Sequence, residues 1–313
     1  MKVVEYRRYG AAEVSALCER PVPEPGRGQL RVRVAGCALN PKDVLVRSGK
    51  FARITGRHFP RRMGYDFSGH VDAVGAGVSA FKPGDAVFGM LNGWDGGACA
   101  EKVLAAEDEM AAAPSRIALG EAAAVPLAAL TALQALRDLA ALRPGSRVCI
   151  HGASGGVGSF AVQIAKALGA HVTALCSAAN HEWVRGLGAD VLVDYRKTPP
   201  HGIAGRFDCF FDVFGNQSLA RVRAKLAPQG VYVTTVPNLP NIAAHLLTRW
   251  WPGRRARLVV VRSRRADLEQ LARWVQEGRL KPVIEAVLPL SRIVDAQLQI
   301  QGKRTRGKVV LKP

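Results

Sequence analysis

Several patterns that announce common activities are missing from this chain. Its six cysteines (Cys18, Cys37, Cys99, Cys149, Cys176, Cys209) are scattered through apolar stretches, and no two stand as Cys-x-x-Cys. Buried, reduced thiols in a cytoplasmic protein are the expectation. Long hydrophobic runs are also missing. The most apolar stretch, Ala122 to Leu136, contains Pro126 and Gln134 and falls short of the roughly 20 residues that span a bilayer. No signal peptide is expected, because Met1-Lys2-Val3-Val4-Glu5-Tyr6 starts directly on a strand pattern. The seven histidines form no ligand pair, and none stands beside a Ser or Cys in a nucleophile motif. A Ser/His/Asp triad is therefore not expected, and His151 reads as a hydrogen-bonded structural residue at a strand end. Internal repeats and low-complexity tracts are absent. Carboxylates are scarce, with 25 Asp and Glu against 44 Lys and Arg, a formal net charge of +19. Such a balance attracts polyphosphate cofactors, nucleic acid or an anionic membrane surface, although arginine-rich composition on solvated faces explains it equally well.

What is present centres on Arg147 to Cys176. Val148-Cys149-Ile150 is a short apolar run after the turn Pro144-Gly145, followed by Gly152, Gly155, Gly156 and Gly158. Ala161, Ile164, Ala165 and Leu168 then recur at helical spacing, Gly169 ends the helix, and His171 to Leu175 is β-rich. This is strand, glycine turn, helix, strand: one βαβ unit of a parallel sheet. Gly156-x-Gly158-x-x-Ala161 fits the dinucleotide fingerprint, with one glycine for the turn, one for close approach to a pyrophosphate and a small third residue for helix packing. Free N–H groups and the helix dipole favour the diphosphate.

The end of the second strand bears on which dinucleotide is held. An NAD site places a carboxylate about 20 residues past the first glycine, whereas this chain has Leu175-Cys176-Ser177 there. Donors follow: Ser177, Asn180, His181 and Arg185, then Tyr195-Arg196-Lys197. The expected cofactor is NADPH.

The 313 residues suggest two domains. Up to about residue 120, short strand patterns such as Leu30, Val32 and Val34 alternate with Pro/Gly turns. An alanine-rich helical stretch runs from Glu121 to Arg143. After the βαβ unit, further strands are expected at Val191 to Asp194, Cys209 to Val213, Gly230 to Val236 and Leu258 to Val261, completing a six-strand doubly wound α/β sheet. A helix at 266–277, a strand at 283–288, a helix at 291–301 and a strand from Lys308 to Leu311 remain. The expected division is 1–124, 125–263 as the dinucleotide-binding domain, and 264–313 returning to the first domain.

These motifs together resemble a known family. Asn40-Pro41-Lys42-Asp43, Arg47-Ser48-Gly49, Gly64-Tyr65-Asp66-Phe67-Ser68-Gly69, Phe81 to Val87, Gly97 to Glu101, Ala153 to Gly158, Leu187 to Asp190 and Arg306 to Val310 are similar to the zinc-independent quinone oxidoreductase branch of the medium-chain dehydrogenase/reductases. Within it, His171 to Ser177 and the Arg-Gly-Lys ending look most like reticulon-interacting oxidoreductases and their bacterial relatives. The resemblance implies a Rossmann doubly wound parallel sheet inserted in a split GroES-like, β-rich catalytic domain, with the substrate in the cleft between them. It also implies hydride transfer from NADPH to a quinone or an α,β-unsaturated carbonyl (an enone). Zinc-dependent relatives carry Cys, His-Glu and a third ligand where this chain has Asn40, Tyr65-Asp66 and Leu127. No metal is expected.

By the same resemblance, the catalytic candidates are Asn40, Asp43 and Tyr65, the last as a phenolic donor in place of the tyrosines the family carries near Leu45 and Phe51. Thr131 would lie beside the nicotinamide, and Ser154, Gly155, Gly156 and Val157 would wrap the pyrophosphate. Ser177, Asn180 and Tyr195 would meet the adenosine phosphate, Phe214 the carboxamide, and Arg306, Gly307 and Lys308 the cofactor from the C-terminal side. A homodimer through the last Rossmann strand is the expected assembly. Two rivals rest on Arg249-Trp250-Trp251-Pro252-Gly253-Arg254-Arg255-Ala256-Arg257, continuing to Arg262, Arg264 and Arg265: nucleic-acid binding through cations and stacking rings, and contact with an anionic membrane through Leu246, Leu247 and the tryptophans.

Overall fold

Alternation of apolar and charged residues from Gln29 to Leu39 produces a half-exposed strand, with Leu30 and Val32 fully buried and Arg31 bound to Asp72 on the neighbouring strand at 2.8 Å. In the computed structural model, which describes all residues except Trp251, Lys303 and Arg304, this is the third strand. The elements up to it and beyond are β1 (Lys2–Tyr6), β2 (Ser15–Glu19), β3 (Gln29–Leu39), α1 (Pro41–Arg47) and α2 (Ala52–Thr55). They continue as β4 (Arg61–Arg62), β5 (Asp66–Val74), β6 (Ala86–Met90), β7 (Lys102–Ala106), β8 (Met110–Ala112), α3 (Leu119–Ala122) and α4 (Pro126–Leu133). Strands β2, β1 and β4 make a small antiparallel sheet.

The chain then builds a parallel sheet from β9 (Arg147–His151), β10 (His171–Cys176), β11 (Val191–Asp194), β12 (Phe207–Asp212), β13 (Leu226–Thr234) and β14 (Arg255–Leu258). Helices α5 (Gly156–Ala167), α6 (His181–Gly186), α7 (Leu219–Val222) and α8 (Leu239–Leu247) connect them. The spatial order β11-β10-β9-β12-β13-β14 reverses direction between β9 and β12, which is the doubly wound arrangement. Its core includes Cys149, Leu175, Phe207, Phe210 and Tyr232.

Two features differ from the sequence expectation. The sixth strand is Arg255–Leu258, paired with Val231 to Thr234, and not Leu258 to Val261. The valines have the better strand propensity, but Ala256 is the residue that packs on the core, and Val260 is 73% exposed. The edge on which a homodimer is expected therefore carries two arginines. Helix α8, absent from the sequence reading, starts with Pro240 in its first turn and an Asn238 cap that accepts the Asn241 N–H at 2.9 Å.

The tail comprises α9 (Arg265–Gln276), β15 (Ile284–Pro289), α10 (Ile293–Gln301) and β16 (Lys308–Lys312). Strand β16 pairs antiparallel with β3, Val310 opposite Ala38, so the last segment completes the first sheet, ordered β15-β16-β3-β5-β6-β8 with β7 also on β3. Two compact units result, Met1–Leu130 with Arg262–Pro313, and Thr131–Val261. Among the described residues, no helix is long and apolar enough to cross a membrane.

The bend from β9 into α5 sets the second unit's geometry. Gly152 takes it at φ +86°, a conformation costly to any residue with a Cβ. At Gly158, a Cβ would lie 2.1 Å from the Gly152 carbonyl oxygen, so the helix can sit on the strand end only without a side chain there. Gly158→Ala is expected to cost about 1–3 kcal/mol or more, read as a lower urea midpoint with an unchanged m-value.

Candidate functional site

The fingerprint glycines divide their work differently from the sequence expectation. The sharp turn belongs to Gly152, the close helix–strand approach to Gly158, and Ala161 is simply buried inside α5. Gly155 is the N-cap residue and Gly156 the first residue of α5, which opens with no side-chain cap. Its first-turn N–H groups are those a helix leaves unpaired. Gly155 has φ −83°, and a Cβ on it would meet nothing nearer than the Gly152 oxygen at 3.6 Å. Neither backbone nor packing requires glycine there. Ser154 and Val157 flank it, both half-buried.

At the far end of the sheet edge, Cys176 and Asp194 are register partners on β10 and β11. Ser177 and Tyr195 are thus the first residues past two adjacent strand ends. Asn180 donates to the Ser177 hydroxyl oxygen at 3.2 Å and accepts from the Trp183 indole at 3.1 Å. Asn180 therefore braces Ser177. Tyr195 is exposed, with the Arg196 guanidinium 6.0 Å from its ring centre. Asp194, overlooked in the sequence, accepts the Arg196 N–H at 3.0 Å. Burial, with Asp194 alongside, pushes the Cys176 thiol up to about 11, so Cys176 stays protonated and inert.

At the reversal point of the sheet, the ends of β9 and β12 meet through His151 and Asp212, whose Nδ1 and Oδ1 are 2.9 Å apart in the buried interior. Asp212 also accepts from the Gly215 and Gln217 N–H groups and from the Tyr232 hydroxyl. It thereby shapes the loop that carries Phe214, which is exposed, with its ring 5.8 Å from that of His151. Thr131 is buried within α4.

In the first unit, a buried polar cluster gathers residues distant in sequence. The Asp66 carboxylate accepts the Asn40 amide at 2.9 Å, the Lys308 ammonium at 3.1 Å and the Leu127 N–H at 2.8 Å. Lys308 also donates to the Asn40 side-chain oxygen. Lys308 is thus an interior cation, 4% exposed, held by Asn40 and Asp66. Gly307 makes the left-handed turn (φ +74°) into β16, and Arg306 is exposed.

Asp43 accepts the Asn40 and Gly64 N–H groups, fixing the start of α1 against the Gly64 turn. Burial raises its carboxyl to about 6. The sign follows: Asp43 favours the fold at low pH, and that contribution is lost as pH rises through about 6. Tyr65 is buried, and its hydroxyl donates to the Trp94 carbonyl at 2.9 Å. With burial also raising its pKa, the expected phenolic donor is already committed.

Lys42 is the residue the sequence reading missed. Its ammonium lies 3.6 Å from the Tyr65 ring centre and 5.2 Å from that of Trp94, a cation–π cage. It donates a long hydrogen bond, 3.4 Å, to the Gly93 carbonyl. Burial lowers its pKa despite the raising influence of Asp43, Asp66 and Glu109. The only sequence signal was its place inside Asn40-Pro41-Lys42-Asp43.

Two family models match, the alcohol dehydrogenase GroES-like domain over residues 26–161 and the zinc-binding dehydrogenase model over 187–311. The spinach (Spinacia oleracea) chloroplastic quinone-oxidoreductase homolog is 33% identical over 100% of this chain and 98% of its own length. The chain belongs to the quinone oxidoreductase branch of the medium-chain dehydrogenase/reductases. The human mitochondrial NAD(P)H oxidoreductase RTN4IP1 is 34% identical over 90% of this chain and 80% of that protein. The quinone oxidoreductase structure from Coxiella burnetii superposes with a TM-score of 0.92 at 30% identity, covering 100% and 99% of the two chains. The fold is accordingly that of the superfamily, a Rossmann sheet inserted in a split GroES-like domain.

One model's description implies zinc, and the residues do not fit it. Zinc takes about four Cys, His or carboxylate donors. Here both Asp66 oxygens are held by N–H donors, one of them an ammonium, and Asn40 and Tyr65 are likewise engaged. Among the described residues, no three His, Cys, Asp or Glu side chains gather as a metal site. In this superfamily member the Lys308 charge balances Asp66. Lys308→Met leaves a buried carboxylate unpaired and should cost about 3–5 kcal/mol, seen as a large fall in thermal midpoint. A cofactor-contacting lysine would instead weaken NADPH binding with little change in midpoint.

Proposed function

We propose that the protein transfers hydride from NADPH to a quinone or to an α,β-unsaturated carbonyl without a metal. The observation that carries this is the uncapped glycine start of α5 at the sheet's reversal point, with a glycine at 155 that the fold itself does not need. That surface suits a diphosphate, whose charge the helix N-terminus favours. The family supports a nicotinamide-dependent oxidoreductase. Tomato (Solanum lycopersicum) 2-methylene-furan-3-one reductase, 33% identical over 100% of this chain, supports the enone side of the reading, and the relatives named quinone oxidoreductase support the quinone side.

Bound there, NADPH would supply the hydride, leaving an enolate or quinol oxyanion in need of a proton. The α5 N–H groups hold the pyrophosphate, with Ser154 and Val157 at its sides. Ser177, braced by Asn180, lies with Tyr195 and Arg196 where an adenosine 2′-phosphate would be held. Lys42 is the proton donor: an ammonium whose pKa burial has lowered gives up its proton more readily than a solvated lysine. Phe214 offers a flat apolar surface, on the loop that Asp212 holds.

The direct test is NADPH binding by calorimetry together with NADPH consumption on a panel of small quinones and enones. Silence in both overturns the reading. Lys42→Met should lower kcat by roughly a hundredfold with little change in KM. The wild-type profile should lose activity as pH rises through the lowered Lys42 pKa, and that alkaline limb should vanish in the variant. Ser177→Asp places a carboxylate where the 2′-phosphate is proposed, so KM for NADPH should rise about tenfold while that for NADH stays nearly constant. Equal effects on both cofactors would place the phosphate elsewhere.

A further inference from the structure

Helix α8 turns its apolar side outward. Leu239, Ile242 and Leu246 recur at helical spacing along one face, extended by Leu247, and Trp250 follows in the turn past the helix end. Leu239 is 83% exposed, Leu247 79% and Trp250 86%. The helix cannot simply roll to hide them, because its other side is tied to β14. The Ala256 N–H donates to the Thr248 hydroxyl at 2.8 Å, and the Leu258 N–H to the His245 ring at 3.3 Å. Asn241 is buried on that side and donates to the Val236 carbonyl. A fixed, contiguous apolar stripe of this kind is an interaction surface.

The charge around it selects the partner. Between Asp212 and Asp267 the sequence contains no Asp or Glu and ten Arg and Lys. Arg249 stacks beside Trp250, its guanidinium 5.2 Å from the ring centre. Arg254 and Arg257 donate to main-chain carbonyls and keep their charge uncompensated by acids of this stretch. A second copy meeting this stripe through a twofold axis would set arginine against arginine, which opposes the contact. Nucleic acid would suit the cations, but aliphatic Leu239, Ile242, Leu246 and Leu247 offer nothing for bases to stack on. An anionic lipid surface suits both sets of groups, taking leucine and tryptophan into the acyl boundary while arginine stems reach back to the headgroups.

We propose that α8 and the arginines that follow it dock the protein, peripherally and reversibly, on a bilayer containing anionic phospholipid. The inference does not depend on the hydride-transfer reading. In flotation assays the full-length protein should bind vesicles of phosphatidylcholine with phosphatidylserine, should not bind phosphatidylcholine alone, and should be released by salt. Leu246→Asn/Leu247→Asn, a change at solvent-exposed positions that adds no charge, should weaken vesicle binding by roughly tenfold or more, with thermal midpoint and NADPH affinity unchanged. Arg254→Gln/Arg255→Gln should weaken binding and reduce its salt dependence. No binding by the wild type overturns the proposal. So does a Leu246→Asn/Leu247→Asn variant that binds as well as wild type, which would mean that charge alone acts. A dimer that this variant converts to monomer in sedimentation velocity would assign the stripe to a second copy, and salt-sensitive RNA binding without vesicle binding would assign it to nucleic acid.

Discussion

A single buried ammonium ties the first unit together. Lys308, on the last strand, reaches Asn40 and Asp66 near the start of the chain, so the tail must return to the first sheet before the Asp66 charge is balanced. Burying a carboxylate without a partner is strongly unfavourable, and Asp66 is completely buried. The Rossmann unit is an insert between two parts of one β-rich unit, and the pairing of β16 with β3 brings its lysine to the Asp66 carboxylate.

The same cluster orders its surroundings. With a lysine holding Asp66 and Asn40, these two residues do not offer the donor set that zinc takes. Around that fixed cluster, Asp43 locks the start of α1, Tyr65 is pinned to Trp94, and the side chain between these motifs, Lys42, rests on two aromatic rings. The neighbouring polar groups are held by internal hydrogen bonds, whereas the Lys42 ammonium is held mainly by the two rings.

In the second unit, steric exclusion plays the corresponding part. Gly152 and Gly158 allow strand and helix to approach until backbone touches backbone. The start of α5, with Gly155 as its N-cap residue, carries no side-chain cap at the point where the sheet reverses. The neighbouring carboxylate, Asp212, spends its lone pairs on loop N–H groups, a tyrosine and His151, holding the crevice in shape.

Local pattern was sufficient for much of this. The glycine-rich turn between two apolar strands, the helical spacing after it, the order of later strands and the returning tail are all legible in the sequence, because period and turn chemistry are properties of a few consecutive residues. The sequence also determined the family, through motifs spread over nearly the whole chain. Tertiary structure alone decided the rest. Which glycine serves which purpose depends on distances across the bend. That Lys308 is interior, Tyr65 already bonded, Lys42 caged and α8 apolar side outward depends on partners tens to hundreds of residues away. Propensity favoured Leu258 to Val261 as the edge strand, and packing of Ala256 chose Arg255–Leu258. A side chain's type is written in the sequence, whereas what it faces is fixed only when distant segments compete for the same buried space.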